Sequence, residues 1–105
     1  MAKFLIIRFS SIGDIVLTTP VIRCLRKKFP DAEIHFLTKQ SFKGIVASNP
    51  YIDKVHTLAD SYELMLHELK TEAYDYIIDL HHNLRTLRIK RFLKGVRSFS
   101  FNKLN

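Results

Sequence analysis

The sequence has a single cysteine, Cys24, and no apolar run long enough to cross a membrane. One cysteine forms no internal disulfide and no metal cluster, which favours a reducing compartment. Because Cys24 falls in an apolar helical pattern, we expect a small buried side chain. The early apolar run, residues 4–7, is broken by Arg8 and followed by no signal-peptide cleavage site. The sequence therefore predicts a cytoplasmic protein, with peripheral contact to a membrane left open.

Acidic residues are missing from the last quarter of the chain. Residues 1–79 hold ten basic and ten acidic side chains, so the net charge of +7 comes from the remainder. A segment of one sign concentrates anionic ligands or surfaces, although a solvated helix face explains it equally well. No nucleic-acid-binding signature accompanies it, so we expect no nucleic-acid partner. The basic residues after Asp79 are Arg85, Arg88, Lys90, Arg91, Lys94, Arg97 and Lys103.

Strand and helix patterns alternate along the 105 residues, which is a common size for one domain. This alternation predicts βαβ units with right-handed crossovers, that is, an α/β, Rossmann-like parallel sheet with flanking helices. Pro20 should kink or restart the first helix, and Gly95 should follow the last one. The expected strands are 3–9, 33–37, 54–58, 74–80 and 96–101. The first expected helix begins at residue 14, and the other three span residues 41–48, 62–70 and 84–93.

Two polar segments follow predicted strands, residues 10–14 after the first and residues 79–85 after the fourth. In such sheets ligands bind beyond the carboxyl ends of the strands, at the switch point of the topology. The first and fourth strands are commonly neighbours there. We therefore expect the two polar segments to face each other across a crevice.

The first segment joins a strand, a turn of small residues and a helix start, which suits an anion. Gly13 would let a ligand or the helix approach the backbone closely. As the only glycine there, it forms neither a dinucleotide fingerprint nor a P-loop. Asp14 is more often a structural cap at such a position, but it could also act as a general base on a substrate hydroxyl.

The second segment contains paired histidines, an asparagine and an arginine. His81 and His82 should point to opposite sides, which disfavours a shared metal ion, and no zinc set is completed around them. Asn83 and Arg85 could hold hydroxyls and a phosphate or carboxylate. Asp79 is also interpretable as a cap of the following turn.

Four blocks of the chain, in order, resemble the lipopolysaccharide heptosyltransferases of glycosyltransferase family 9. Together they cover nearly the whole chain and are more specific than any single motif. The His81–His82 pair departs from the smaller residues that family members often carry, which leaves the identity of the acceptor open. The blocks are residues 3–23 (KFLIIRFSSIGDIVLTTPVIR), 27–37 (KKFPDAEIHFL), 49–55 (NPYIDKV) and 74–85 (YDYIIDLHHNLR).

The resemblance implies a GT-B enzyme that transfers heptose from ADP-heptose with inversion and without a metal or other cofactor. Residues 1–105 would be its N-terminal, acceptor-side half, truncated and inactive without the donor-binding C-terminal domain. Expected partners are an anionic lipopolysaccharide core acceptor and the cytoplasmic face of the inner membrane. The resemblance makes Asp14 the expected catalytic base. Ser10, Ser11 and Gly13 would shape the site, and Asn83 and Arg85 would help hold the acceptor.

Two other classes of protein are compatible with the length. One is a free-standing anion- or nucleotide-binding α/β module without catalysis. The other is a response-regulator-like signalling domain, which is disfavoured because Ser10 and Ser11 stand where that class carries paired acidic residues.

Overall fold

The computed structural model describes residues 2–58, 62–93 and 95–100. Strands and helices alternate along the described residues, as predicted. The strands are β1 Lys3–Ile7, β2 Glu33–Lys39, β3 Lys54–Leu58, β4 Tyr76–Asp79 and β5 Arg97–Ser100. The α-helices are α1 Ile12–Val16, α2 Thr19–Lys28, α3 Lys43–Ala47, α4 Tyr62–Glu72 and α5 Leu84–Phe92, with a 3₁₀ turn at Gln40–Phe42.

The five strands form one parallel sheet in the order β3-β2-β1-β4-β5. This order matches five of the six strands of the doubly wound order 3-2-1-4-5-6, and its switch point lies between β1 and β4. The predicted fold class and the predicted neighbourhood of the first and fourth strands are confirmed. A response-regulator fold would place β3 beside β1 (order 2-1-3-4-5), so the topology excludes that class.

The β1 strand is buried on both faces, as its apolar sequence predicts. Phe4 and Ile6 face the side covered by α1, α2 and α3, whereas Leu5 and Ile7 face α4 and α5. Leu5, Ile6 and Ile7 have no solvent exposure, and burying a side chain of this size contributes about 1.5–3 kcal/mol. The strand therefore joins two apolar layers into one domain and fixes the position of the loop that follows it.

Several element boundaries differ from the predictions. The β1 strand ends at Ile7 and not at residue 9, because the Arg8 side chain turns towards neighbouring loops. The first helix begins at Ile12 and not at Asp14, because Ser11 takes the N-cap position. Residues 41–48 divide into the 3₁₀ turn and α3, and β4 begins at Tyr76. The end predicted for the fifth strand, residue 101, lies outside the described residues.

The two expectations about proline and glycine are confirmed. Pro20 restarts the helix, since it lies in the first turn of α2, where its missing N–H would have no intrahelical partner. Gly95, after α5, adopts a left-handed φ of 85°, which a side chain with a Cβ would disfavour.

The expectation that Cys24 is buried is wrong, because its side chain is exposed on α2. Ile22 is the buried residue of that helix, with Val21 and Leu25 half-buried beside it. A position two residues after Ile22 points to nearly the opposite side of a helix. Within the described residues, no helix combines the length and apolar character that a membrane crossing requires.

Candidate active site

Arg8 joins the two polar segments at the carboxyl edge of the sheet. Its Nη1 donates a hydrogen bond of 2.7 Å to the carbonyl oxygen of Leu80, and its Nη2 lies 3.0 Å from Asp14 Oδ2. The backbone N–H of Leu80 also donates to the carbonyl of Ile7 at 3.0 Å. The segments after β1 and β4 therefore meet, as the sequence predicts.

A second contact between the segments is built on the buried Phe9. Its backbone N–H donates to His81 Nδ1 at 3.4 Å, and the two rings lie 4.8 Å apart. The Arg85 guanidinium lies over the Phe9 ring, with its central carbon 5.4 Å from the centre of that ring. Burial, followed by the charge of Arg8, lowers the pKa of His81, which favours the neutral ring that can accept from Phe9.

Asp14 occupies the third position of α1 and caps the start of that helix. Its Oδ2 accepts hydrogen bonds from the Ser11 N–H at 3.2 Å and from the Ser11 hydroxyl at 3.0 Å. These bonds, together with the charge of Arg8, hold the pKa of the Asp14 carboxyl below its usual value. The carboxylate is thus ionised at neutral pH and fixed in orientation.

The other oxygen of Asp14 is available to a ligand. All three contacts converge on Oδ2, and Oδ1 accepts no hydrogen bond from the described residues. The side chain is 40% exposed, so solvent and ligands can reach it. The capping role does not therefore compete with a role as a general base.

The small residues of the first loop leave space beside its backbone. Apart from its chain neighbours and the backbone of its own helix, a Cβ placed on Gly13 would meet no atom of the described residues within 4 Å, so no other described helix approaches it. The sequence predicts that Gly13 admits either a helix or a ligand close to the backbone. The described residues show no close contact with another helix, and the space beside Gly13 is open to a ligand. Ser10 is half-buried and Ser11 is exposed, and the peptide bond between them is cis.

Asp79 is a buried structural anchor at the end of β4, which confirms its interpretation as a cap. Its Oδ1 accepts from the N–H groups of His81 at 3.0 Å and His82 at 2.7 Å, and Lys90 Nζ lies 3.0 Å from Oδ2. Burial alone would raise the pKa of Asp79, but these hydrogen bonds and the Lys90 charge lower it on balance. The turn that carries His81 and His82 is therefore held by a charged clamp.

Asn83 is the N-cap of α5. Its Oδ1 accepts from the Thr86 N–H at 3.0 Å, and its own N–H donates to Thr86 Oγ1 at 3.0 Å. The cap occupies the side-chain oxygen, so the side-chain NH₂ group is the part of Asn83 that could contact a ligand.

An open concavity of about 470 Å³ lies beside this cap, lined by Asn83, Leu84, Arg85 and Arg88. Arg85 and Arg88 are spaced one helical turn apart and are both exposed. Two guanidinium groups on one face can bind a phosphate or carboxylate through paired N–H donors. The concavity is therefore suited to an anionic group.

Two residues of this site were missed by sequence reasoning. Arg8 ends the apolar run, and a charged residue that ends a buried strand lies at the ligand-binding edge of such a sheet, which is the signal that could have identified it. For Arg88 the signal is its spacing from Arg85, which indicates a shared helix face.

The fold and the site together define a Rossmann-like domain with a fixed, ionised carboxylate and an arginine-lined concavity at its switch point. No family model matches the chain. Over 108 aligned residues the chain is 31% identical to lipopolysaccharide heptosyltransferase 1 of Campylobacter coli. The alignment covers 96% of this chain and 31% of that protein. The predicted resemblance to the lipopolysaccharide heptosyltransferases is confirmed by this similarity.

Solved structures agree on the fold. A glycosyl transferase family 9 protein of Veillonella parvula DSM 2008 superposes with a TM-score of 0.79 at 24% identity, over 94% of this chain and 32% of that one. ADP-heptose lipopolysaccharide heptosyltransferase II of E. coli gives 0.80 at 19% identity, over 93% and 30%. This chain thus spans about a third of the length of the proteins it matches.

Proposed function

We propose that this chain is the acceptor-side part of an inverting glycosyltransferase that transfers heptose from ADP-heptose to the inner core of lipopolysaccharide, with Asp14 as the catalytic base. The observation that carries the proposal is the geometry of Asp14, which is held through Oδ2 and open at Oδ1. The similarity to heptosyltransferases supports the substrate class. Donor binding falls to a further domain, and neither a metal nor a resident cofactor takes part.

The chemistry is a single displacement at the anomeric carbon of the donor. The acceptor hydroxyl donates to Asp14 Oδ1 and attacks the carbon from the face opposite to ADP. The new carbon–oxygen bond forms as the bond to ADP breaks, the proton passes to Asp14, and ADP leaves with the negative charge. Asp14 is ionised at neutral pH, so Oδ1 has a lone pair with which to accept the proton. A positioned base of this kind contributes roughly 10²- to 10⁴-fold in rate.

The acceptor is held through its anionic groups. The inner core carries carboxylates and phosphates, which suit the concavity beside Arg85 and Arg88. The Asn83 NH₂ group is placed to donate to a sugar hydroxyl, and the open space above Gly13 gives the sugar ring access to Asp14. The basic α5 helix also suits peripheral contact with the anionic cytoplasmic face of the inner membrane.

The second candidate function is a free-standing module that binds an anion or a nucleotide without catalysis. It is favoured by one observation: the arginine-lined concavity is formed within this chain, whereas transfer also needs a donor site. The two functions differ in the ligand that they predict.

Backbone amide NMR spectra of the chain distinguish them. The spectra are recorded during titration with a deacylated, Kdo-containing core oligosaccharide and, separately, with ADP. The proposal predicts shifts at residues 10–14 and 81–85 with the oligosaccharide, and none there with ADP. Tight binding of ADP at residues 10–14 would instead support the nucleotide-binding module and remove the assigned role of Asp14.

The role of Asp14 is tested in a polypeptide that joins this domain to a donor-binding domain. Asp14→Asn should lower kcat by roughly 10²- to 10⁴-fold, and the amide spectrum should show that the domain is still folded. Asp31→Asn is the matched control, because Asp31 is an exposed aspartate in the turn before β2. Near-normal turnover in Asp14→Asn would show that another group takes the proton.

A further inference from the structure

A second cluster of polar side chains lies towards the amino edge of the sheet, away from the Asp14 crevice. His35 Nδ1 lies 3.1 Å from His56 Nε2, and Tyr74 Oη lies 2.7 Å from the first and 2.9 Å from the second. Glu72 Oε2 lies 3.6 Å from His56 Nε2. Within the described ranges, one ligand atom each of His35, His56 and Glu72 lies within 4.8 Å of the others.

The register of the sheet explains the cluster. His35 pairs with Lys54, and Leu37 pairs with His56, so the two histidines project from neighbouring parallel strands on the same face. Glu72 ends α4, which packs on that face and leads towards β4. His35 is fully buried and His56 is 6% exposed. Three elements thus bring three ligand-type side chains to one buried point.

We propose that His35, His56 and Glu72 form a binding site for a divalent transition-metal ion, with zinc the best match to two imidazoles and a carboxylate. Zinc bonds of about 2.0–2.2 Å in tetrahedral geometry place ligand atoms roughly 3.3 Å apart. The two distances from His56 Nε2, 3.1 Å to His35 Nδ1 and 3.6 Å to Glu72 Oε2, bracket that spacing. The ligand atoms of His35 and Glu72 lie within 4.8 Å of each other, so this pair closes to the tetrahedral spacing as the ion binds. Three protein ligands leave a fourth position for water or for the Tyr74 hydroxyl.

The outer contacts of the cluster are those of a metal site. His35 Nε2 is hydrogen-bonded to Glu33 Oε2 at 2.5 Å. A ligating histidine almost always donates its second ring N–H to a carboxylate or carbonyl, which fixes the ring and directs the lone pair of the other nitrogen at the metal. Here that other nitrogen is Nδ1, the atom that faces His56 and Tyr74.

The cations near Glu72 are the main competitors of the metal. Lys3 Nζ lies 2.8 Å from Oε1, and Lys54 Nζ lies 2.7 Å from Oε2. Only Lys54 occupies the oxygen that faces His56. The Lys54 side chain is 55% exposed, so it can move into water and release Oε2, whereas Glu72 is only 17% exposed and stays at the cluster. Lys3 can remain on Oε1 and orient the carboxylate.

The metal also has a path to the cluster. A cavity of about 500 Å³ opens beside His56 and Glu72, and Glu68 and Lys54 line its wall. A bound ion would tie β2 and β3 to the end of α4. The site would therefore raise the stability of the domain without contacting the groups at the carboxyl edge.

The test titrates the full chain with Zn²⁺, and in parallel with Co²⁺, whose visible absorption reports its coordination. We expect one ion per chain, a higher melting temperature and a tetrahedral cobalt spectrum. Glu72→Gln should abolish the stoichiometric binding, and Glu33→Gln should weaken it by roughly 10- to 100-fold. His82→Gln, which removes an exposed histidine at the other edge, should leave it unchanged.

A measurement on the unaltered chain keeps the proposal falsifiable if a variant fails to fold. In ¹⁵N spectra of the imidazole rings, Zn²⁺ should shift the signals of His35 and His56 and spare those of His67 and His82. The proposal is overturned if Zn²⁺ does not bind at one equivalent. It is equally overturned if the shifts fall on the exposed histidines, or if Glu72→Gln binds as tightly as the unaltered chain.

Discussion

The two edges of the sheet use the same kinds of side chain to different ends. At the carboxyl edge, Asp14 is 40% exposed and has one oxygen without a partner among the described residues. At the amino edge, Glu72 is 17% exposed, and each of its oxygens is paired with a lysine. An ionised group that is fixed but not fully satisfied can take part in chemistry, whereas a fully paired one contributes to the fold.

The difference in the pairing of Asp14 and Glu72 follows from what adjoins the strands at each edge of the sheet. At the carboxyl edge, short loops begin new helices, so caps and N–H groups surround each acidic side chain and leave part of it open. At the amino edge, the end of α4 lies directly against β2 and β3, and its side chains pack between those of the strands. The contrast predicts that substitutions at the first edge alter ligand binding, and that those at the second alter stability.

Asp79 is the exception at the carboxyl edge, and its removal is expected to have the largest effect on stability. Asp79→Ala removes the buried carboxylate that lies 3.0 Å from Lys90 Nζ and releases the N–H groups of His81 and His82. Breaking such a buried pair costs about 3–5 kcal/mol. Urea unfolding should show a loss of this size, while Asp31→Ala, in an exposed turn, should change the free energy of unfolding little.

The pH dependence of that loss has a definite sign. The pKa of Asp79 is lower in the folded chain than its usual value of 3.8. Its contribution is therefore fully present above about pH 3.8, and it is lost as the pH falls through the folded pKa. The difference between the unaltered chain and Asp79→Ala should shrink as the solution is acidified. A difference that grows in acid would contradict the assigned clamp.

Tyr74→Phe tests the other side of the comparison, with a smaller effect. The substitution removes the hydroxyl that contacts both His35 Nδ1 and His56 Nε2, and loss of one partner of buried polar groups costs about 1–3 kcal/mol. Thermal and urea unfolding measure the loss. Tyr51→Phe, on an exposed tyrosine, is the control. Ligand-induced shifts at residues 10–14 should be the same in both variants, and a change there would show that the two edges are coupled.

The sequence predicts the sheet well because the signals of a parallel sheet are local. Apolar runs such as the one before Arg8, followed by turn residues, mark each strand and place the crevice after the first and the fourth. The signals that set the ends of strands and helices are less local, because they include side-chain contacts with other segments. Ser11 takes the N-cap through bonds to Asp14, and Arg8 leaves the strand to reach Leu80, so both ends move by two residues.

The cluster at the amino edge could not be predicted in this way. His35 and His56 are 21 positions apart, and Glu72 belongs to a third element, so no spacing within the sequence joins them. Only the register of β2 against β3, together with the packing of α4, brings them to one point. The error at Cys24 has a related cause, since the stripe that α2 buries is set by the sheet beneath it.

The smallest expected effect at the carboxyl edge is a change in the pKa of Asp14. The Ser11 hydrogen bonds and the Arg8 charge stabilise the Asp14 carboxylate and lower its pKa. Arg8→Gln removes that charge, so the pKa of Asp14 should rise towards its usual value of 3.8. A ¹³C titration of the side-chain carboxyl measures the change. Arg85→Gln is the control, because its guanidinium contacts the Phe9 ring and not Asp14.

The same change in the pKa of Asp14 should appear in the pH dependence of the transfer rate. If Asp14 is the base, the acid limb of the rate profile in a polypeptide with a donor-binding domain follows the pKa of Asp14, and it should move to higher pH in Arg8→Gln. Equal displacements in the titration and in the rate profile would connect the fixed carboxylate to proton transfer. A rate profile that stays in place while the titration moves would leave Asp14 as a cap of α1 and require a different base.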